Sequence, residues 1–181
     1  MNTCGRTLKV GERVNEILEL IGSALWFILP AYFANATPVV LGGGPPLDGG
    51  RNFTDGRRIF GDGKTIRGFV AGLIAGTIIG LLQGIYKNSI SHYLALGSLL
   101  ALGALLGDLL GSFIKRRLEI ERGGAAPGLD QLGFVVIALL LASPVALPSW
   151  QVIVTLLIIT PPIHLATNFI GHKLKLKARP Y

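Results

Sequence analysis

Residues 107–130 read GDLLGSFIKRRLEIERGGAAPGLD, which joins the end of one apolar run to the start of the next. In a helix, side chains that are four, seven and eight residues apart share one face. This spacing places a carboxylate, a hydroxyl and two cations on one stripe: Asp108, Ser112, Lys115 and Arg116. A second carboxylate, Asp130, follows a turn and is predicted to return to the same place.

The residue types on this stripe predict a site for a metal-bound polyphosphate. Carboxylates and hydroxyls suit Mg²⁺, and fixed cations suit phosphate groups. Asp108 lies seven residues before Lys115, which is roughly 10 Å inside the end of a predicted membrane span. A carboxylate at that depth is costly unless it is paired or bound to a cation. The structural alternative is an ion pair between Asp108 and a loop arginine.

Bulk composition indicates an integral membrane protein. The chain has 181 residues, of which 50% are hydrophobic and only 15% charged, and its mean hydropathy is +0.57. Soluble domains are about a quarter charged. The net charge of +7 lies mainly in loops and the C-terminal tail, which favours anionic lipid or phosphate over nucleic acid as a partner. The single cysteine, Cys4, excludes an internal disulfide and a cysteine-rich metal site.

Five apolar runs predict an all-α protein with five transmembrane helices. The runs cover residues 21–41, 68–86, 93–114, 132–147 and 150–170. Most of them approach the roughly 20 residues that cross the hydrocarbon core. Residues 1–20 carry an apolar stripe at helical spacing, which predicts an amphipathic N-terminal helix that continues into the first span. One membrane domain is expected over residues 21–171, followed by a basic tail over residues 172–181.

The distribution of Lys and Arg predicts the orientation in the membrane. The 41–67 loop holds five of the seventeen, the 115–131 loop four and the tail four, against four on the opposite side. This split of thirteen against four predicts that both loops and the tail face the cytoplasm. We therefore expect a multi-pass protein of the cell membrane, with its N-terminus outside and its site cytoplasmic.

The 41–67 loop is rich in Gly and Pro and carries three acids among its five bases. A simple linker rarely needs so many paired charges, so we interpret the segment as a lid or a phosphate-gripping loop. Residues 61–65, GDGKT, resemble the end of a Walker loop but lack the upstream glycine and the preceding strand. Flexible glycines with a lysine and a threonine at a helix start still suit phosphate binding.

Glycines recur at every fourth residue in the second and third spans. They are Gly68, Gly72, Gly76, Gly80 and Gly84, and then Gly103, Gly107 and Gly111. Glycine at this spacing lets helix backbones approach closely. These two rows of glycines, the glycine ladders of the second and third spans, are predicted to pack against each other or against a second copy of the chain. The second arrangement would make a homodimer.

Several of these residues resemble the signature of the membrane CTP:phosphatidate cytidylyltransferases. The matching positions are Gly107-Asp108, Ser112, Ile114-Lys115-Arg116, Pro127-Gly128 and Asp130. The motifs in residues 48–50, 55–58, 61–65 and 130–132, with the five-span layout, are more similar to the archaeal branch, the CDP-archaeol synthases. This resemblance covers nearly all of the chain past residue 20.

The resemblance implies a Mg²⁺-dependent reaction in archaeal phospholipid biosynthesis. CTP and an anionic isoprenoid ether lipid phosphate, 2,3-bis-(O-geranylgeranyl)-sn-glycerol 1-phosphate, would give CDP-archaeol and pyrophosphate. Asp108 and Asp130 would hold the metal, and Lys115 and Arg116 would meet the CTP phosphates. The implied nucleotide- or phosphate-binding residues are Asp55, Arg57, Arg58, Asp62, Lys64, Thr65, Arg67 and Ser112. Members often carry a further acid where this chain has Gly133, so the resemblance leaves a second metal there undecided.

Three alternatives remain open on the sequence. The lipid could be an ester-linked phosphatidate, since the residues do not distinguish diether from diester. A small cation channel or transporter would use a buried Asp beside broken helices, but no paired interrupted repeat is present. A CDP-alcohol phosphotransferase needs several aspartates at helical spacing in one span, whereas Asp48, Asp55 and Asp62 lie in a loop.

Overall fold

A computed structural model describes residues 10–121 and 123–177. Its helices are α1 Val10–Leu41, α2 Ile66–Tyr86, α3 Ile90–Arg117, α4 Leu129–Ala142 and α5 Trp150–Lys173. Each predicted apolar run thus corresponds to one helix, and the remaining described segments form only isolated bridges and turns. The prediction of an all-α protein is confirmed.

Four of the helices, α1, α2, α3 and α5, are long and apolar enough to cross a membrane. The remaining helix, α4, has 14 residues. It is therefore about 21 Å long, shorter than the roughly 30 Å of a hydrocarbon core. It ends before Pro144 and Pro148, and proline removes a backbone donor and disfavours continuation of a helix. The chain nevertheless continues to the far end of the bundle, where Ala146 and His92 line the same small cavity.

The predicted amphipathic segment and the first span form one helix. α1 runs for 32 residues, or about 48 Å, which is longer than the hydrocarbon core. Val10, Val14, Ile17 and Leu18 in its first part are exposed. The prediction for residues 1–9 lies outside the described residues, as does that for residues 178–181 of the tail.

The glycine ladders join helices of this one chain. A Cβ added at Gly76 would lie 2.5 Å from Cβ of Ala101 in α3 and 2.7 Å from the Pro30 oxygen in α1. A Cβ added at Gly107 would lie 2.7 Å from Cα of Phe134 in α4. The prediction that the two ladders meet each other is therefore wrong, because the α3 ladder packs against α4. The ladder glycines are buried within this one chain, and the homodimer stays a prediction.

Large apolar side chains cover the outside of the bundle. On α2 they recur opposite the glycines, at Ile66, Val70, Ile74, Ile78 and Leu82, each about half exposed. Such a surface is suited to lipid contact. Because neighbouring helices are antiparallel, the starts of α2 and α4 and the ends of α1, α3 and α5 meet at one end of the bundle.

Candidate active site

A cavity of about 1220 Å³ opens at this end of the bundle. The predicted site residues that line it are Asp62, Lys64, Thr65, Asp108, Ser112, Lys115, Arg116 and Asp130. The α3 stripe expected from helical spacing thus lines one cavity, and Asp130 joins it from the first turn of α4. Helical spacing was sufficient to place Asp108, Ser112, Lys115 and Arg116 together.

Two ion pairs hold the carboxylates of the cavity. Nζ of Lys64 lies 2.5 Å from Oδ2 of Asp108, and Nζ of Lys115 lies 2.7 Å from Oδ1 of Asp130. The second Asp130 oxygen accepts a hydrogen bond from the Ala126 amide at 2.9 Å. The Asp108 and Asp130 side chains remain 34% and 21% exposed, so both can meet a ligand. The partner of Asp108 is a loop lysine, whereas the structural alternative expected an arginine.

Arg116 provides a further cation to the cavity. Its Nε is buried and donates no hydrogen bond within the part of the chain that the structure describes. Its Cδ lies 3.9 Å from the position of a Cβ added at Gly61, so the side chain runs beneath the glycine-rich loop. A buried donor left unpaired costs about 1–3 kcal/mol. An anion in the cavity would remove that cost.

The donor set fits Mg²⁺ that a substrate helps to coordinate. Proteins usually hold Mg²⁺ with one or two carboxylates together with substrate phosphates. Asp108 and Asp130 supply two carboxylates on one cavity wall. Within residues 10–121 and 123–177, no group of three His, Cys, Asp or Glu side chains could hold a metal ion unaided. Substrate phosphates and water would therefore complete the coordination.

The 42–65 loop is ordered around Asp48, whose side chain is fully buried. Its Oδ1 accepts hydrogen bonds from Arg58 at 2.7 Å and the Gly50 amide at 3.0 Å, and Oδ2 accepts from the Phe60 and Gly61 amides at 3.0 Å. Burial would raise the pKa of this carboxyl, but these hydrogen bonds outweigh burial and hold the pKa well below its usual range. Nothing in the sequence pattern distinguishes Asp48 from the neighbouring loop acids.

A second set of contacts fastens this loop to the end of α3. The Arg117 guanidinium packs over two rings, 5.1 Å from the centroid of Phe53 and 4.7 Å from that of Phe113. Its Nε is 2.7 Å from Oδ2 of Asp55. Arg57 in turn donates to the Arg117 carbonyl at 2.6 Å. Asp55 and Arg57 therefore hold the loop in place rather than line the cavity.

The other predicted phosphate ligands divide in the same way. Arg58 bridges two loop carboxylates, donating to Asp62 at 2.6 Å and to Asp48 at 2.7 Å. Arg67 is exposed at the start of α2 and lies outside the cavity lining. The structure does not bring Asp55, Arg57, Arg58 or Arg67 to the cavity wall.

Thr65 begins α2, as the prediction of a helix start after residues 61–65 requires. It is the N-cap, and its Oγ1 accepts from the Gly68 amide at 3.1 Å and the Gly43 amide at 3.2 Å. Capping at this position satisfies amides that the first helical turn leaves unpaired. The cap fixes the direction in which the preceding Lys64 enters the cavity.

A polar wall on α5 was missed by sequence reasoning. Thr160 Oγ1 lies 2.8 Å from the Tyr32 hydroxyl of α1, and His164 Nδ1 lies 3.3 Å from Asn168 Nδ2. Lys177, beyond the end of α5, donates to Asn168 Oδ1 at 2.5 Å. All five side chains line the cavity. The four-residue spacing of Thr160, His164 and Asn168 could have predicted that these three share one face of a helix.

Known proteins resemble this chain along most of its length. The profile of the CarS-like CDP-archaeol synthase family matches residues 17–181. A CDP-archaeol synthase of Pyrococcus furiosus is 54% identical over 162 residues, covering 87% of this chain and 96% of the relative. One of Methanococcus maripaludis is 47% identical over 178 residues, covering 90% and 97%. A solved structure of an intramembrane enzyme for archaeal membrane lipids biosynthesis has a TM-score of 0.76 and 45% identity, covering 82% of this chain and 94% of that chain.

Proposed function

Because the chain belongs to the CDP-archaeol synthase family, we propose that it transfers the cytidylyl group of CTP to an ether lipid phosphate in this cavity. Asp108 and Asp130 would hold the Mg²⁺ ion. One observation supports this proposal: the two carboxylates line the same cavity as the cations Lys64, Lys115 and Arg116. The product of the family is CDP-archaeol. An ester-lipid enzyme, a channel and a CDP-alcohol phosphotransferase have no support from the relatives.

The proposed reaction needs no nucleophile from the protein. A phosphate oxygen of the lipid attacks the α-phosphorus of CTP and forms the new O–P bond. The bond between the α-phosphorus and the oxygen bridging to the β-phosphorus breaks, and pyrophosphate leaves with its electrons. Because both reactants are anionic, the task of the protein is positioning and charge neutralisation.

The cations of the cavity perform that task. When bound, Mg²⁺ supplies charge stabilisation for the CTP phosphates and the leaving pyrophosphate. Lys64 and Lys115 each lie within 2.7 Å of an aspartate carboxylate. When those carboxylates bind the metal, the two lysines donate to phosphate oxygens instead. Arg116 donates from beneath the loop, and the hydroxyls of Ser112 and Thr65 add neutral donors. Asp62, which also lines the cavity, accepts a hydrogen bond from Arg58.

The turnover of purified protein tests this function. With labelled CTP, Mg²⁺ and 2,3-bis-(O-geranylgeranyl)-sn-glycerol 1-phosphate, we expect CDP-archaeol and pyrophosphate in equal amounts. Without Mg²⁺, or with the diether alcohol that lacks the phosphate, no product should form. Equal turnover without any divalent cation would contradict the metal proposal, and CTP hydrolysis without CDP-lipid would contradict the transfer reaction.

The orientation in the membrane is also part of this proposal. Five crossings, with the 129–149 segment making the fourth, would put the N-terminus outside and the cavity in the cytoplasm, as thirteen basic residues against four indicate. In a Cys4→Ser background, Asn88→Cys and Arg51→Cys lie on exposed turns at opposite ends of the bundle. A membrane-impermeant maleimide applied to intact cells should label only the Asn88→Cys protein. Labelling of both from one side would contradict the five-span topology.

A further inference from the structure

The chain beyond α5 turns back toward the cavity. The amide of Leu176 donates to the Gly171 carbonyl and that of Lys175 to the His172 carbonyl, both at 2.9 Å. This pair of bonds is the Schellman arrangement of a helix end, and Lys175 adopts the left-handed conformation that it requires, with φ of +59°. The turn directs Lys177 back along α5.

Contacts on three parts of Lys177 fix its position. Its Cγ and Cδ lie 3.8 Å from the position of a Cβ added at Gly171, so its stem packs beside that glycine. Its carbonyl accepts from Nδ1 of His172 at 3.1 Å. Its Nζ donates to the buried Asn168. The ammonium group is therefore held at the cavity wall rather than left on a free tail.

Lys177 has no carboxylate partner in the described ranges. The nearby Asp108 and Asp130 are each paired with another lysine, Lys64 and Lys115. Burial, and then the charge of Lys64, lowers the pKa of Lys177, although the two aspartates act in the opposite sense. An anion that binds between Lys177 and Lys64 would offset both the burial of the Lys177 ammonium group and its repulsion by Lys64.

Beside the polar wall that holds Lys177, the cavity also has an exposed apolar side. Six large side chains both line the cavity and are exposed: Phe33, Val39, Val40, Ile170, Leu174 and Leu176. They come from the end of α1 and from the end of α5 with its following turn. The glycine-rich loop and the α3 stripe line the same cavity. An isoprenoid chain would fit the exposed apolar side, and its phosphate would then lie beside Lys177.

We propose that Lys177 binds the phosphate of the lipid substrate while its prenyl chains lie between the ends of α1 and α5. Lys115 and Arg116, on the loop side, then serve the nucleotide. This assignment rests on the proposed function and extends it, because it divides the cations of the cavity between the two substrates. Asn168 is the positioning residue that aims the ammonium group.

Lys177→Met tests the assignment, because methionine keeps the stem beside Gly171 and removes the charge. A hydrogen bond to a charged group is worth about 1.5–3 kcal/mol, so the KM for the lipid phosphate should rise about tenfold or more. The KM for CTP should stay within about twofold, and Lys177→Arg should restore most of the lipid affinity. Lys173→Met is the matched control, since Lys173 is exposed over the Phe169 ring, and its lipid KM should not change.

Thermal unfolding in detergent measures binding apart from turnover. The lipid phosphate, added without CTP, should raise the Tm of the wild type more than that of Lys177→Met, whereas CTP with Mg²⁺ should raise both equally. The diether alcohol should give the same shift in both proteins, because it tests only the apolar wall. Equal responses to the lipid phosphate, or a lost CTP response, would overturn the assignment. Absence of turnover in the wild type would instead reject the proposed function, and the Tm shifts would still test Lys177.

Discussion

Asp48→Asn is expected to release the 42–65 loop while leaving the helices folded. Asn has nearly the same shape, but its NH₂ group must face either the Phe60 and Gly61 amides or the donors of Arg58 and Gly50. Two acceptor contacts become donor–donor contacts, and hydrogen bonds to a charged group are worth about 1.5–3 kcal/mol each. The loop should therefore lose about 3 kcal/mol or more of local stability.

The loss should appear as loop cleavage and weaker use of CTP. Trypsin should cut the Asp48→Asn protein at Arg51 or Arg57 while circular dichroism reports unchanged helix content. Because this loop carries Lys64 into the cavity, a smaller closed population should raise the KM for CTP by about tenfold. Asp62→Asn is the control for cleavage, since Asp62 is 64% exposed and exposed pairs contribute about 0–1 kcal/mol. Protease resistance equal to the wild type would show that Asp48 is not the anchor.

The same anchor should be insensitive to pH near neutrality. The pKa of Asp48 is lowered in the folded protein, below about 3.9 for an unfolded Asp. Its contribution to stability is thus fully present above about pH 4 and is lost only as the pH falls through the folded-state pKa. The rate of loop cleavage relative to a flexible reference peptide should be constant between pH 5 and 8.

The sequence was sufficient to predict the features that depend on local periodicity. An apolar run of about 20 residues becomes a helix, and four-residue spacing puts Asp108 and Ser112 at one cavity with Lys115. Both follow from the 3.6-residue period of a helix alone. The ladder glycines likewise predicted close packing, but not which helix each would face. That choice depends on tertiary arrangement, and Gly107 packs against α4 rather than α2.

The loop and the tail could not be assigned from sequence for a physical reason. Asp48, Asp55 and Asp62 look alike in a Gly-rich segment, and only the closed loop decides that the first is buried among donors. Arg57 looks like a phosphate ligand until its contact with the Arg117 carbonyl is known. Lys177 looks like a basic flank, because the turn that returns it to the cavity uses a lysine where glycine is usual.

Asp108→Asn and Asp130→Asn are each expected to abolish most activity without preventing folding. Asn keeps the shape and removes the charge that would hold Mg²⁺. Loss of a charge beside a transferring phosphoryl group costs several kcal/mol, on the order of a hundredfold or more in rate. Glu19→Gln, at the opposite end of the bundle, is the matched carboxylate-to-amide control and should retain wild-type activity.

The double variant distinguishes a shared metal from two separate ion pairs. If both carboxylates hold one ion, they act as a unit, and the double variant should be scarcely worse than either single one. Each single variant should also need more Mg²⁺, both for half-maximal rate and for stabilisation of the protein by CTP in a thermal scan. If Lys64–Asp108 and Lys115–Asp130 are only structural pairs, the two losses should multiply, because independent sites are additive in free energy. Multiplicative losses with an unmoved Mg²⁺ midpoint would therefore reject the shared metal, whereas non-additive losses with a raised midpoint place one ion between α3 and α4.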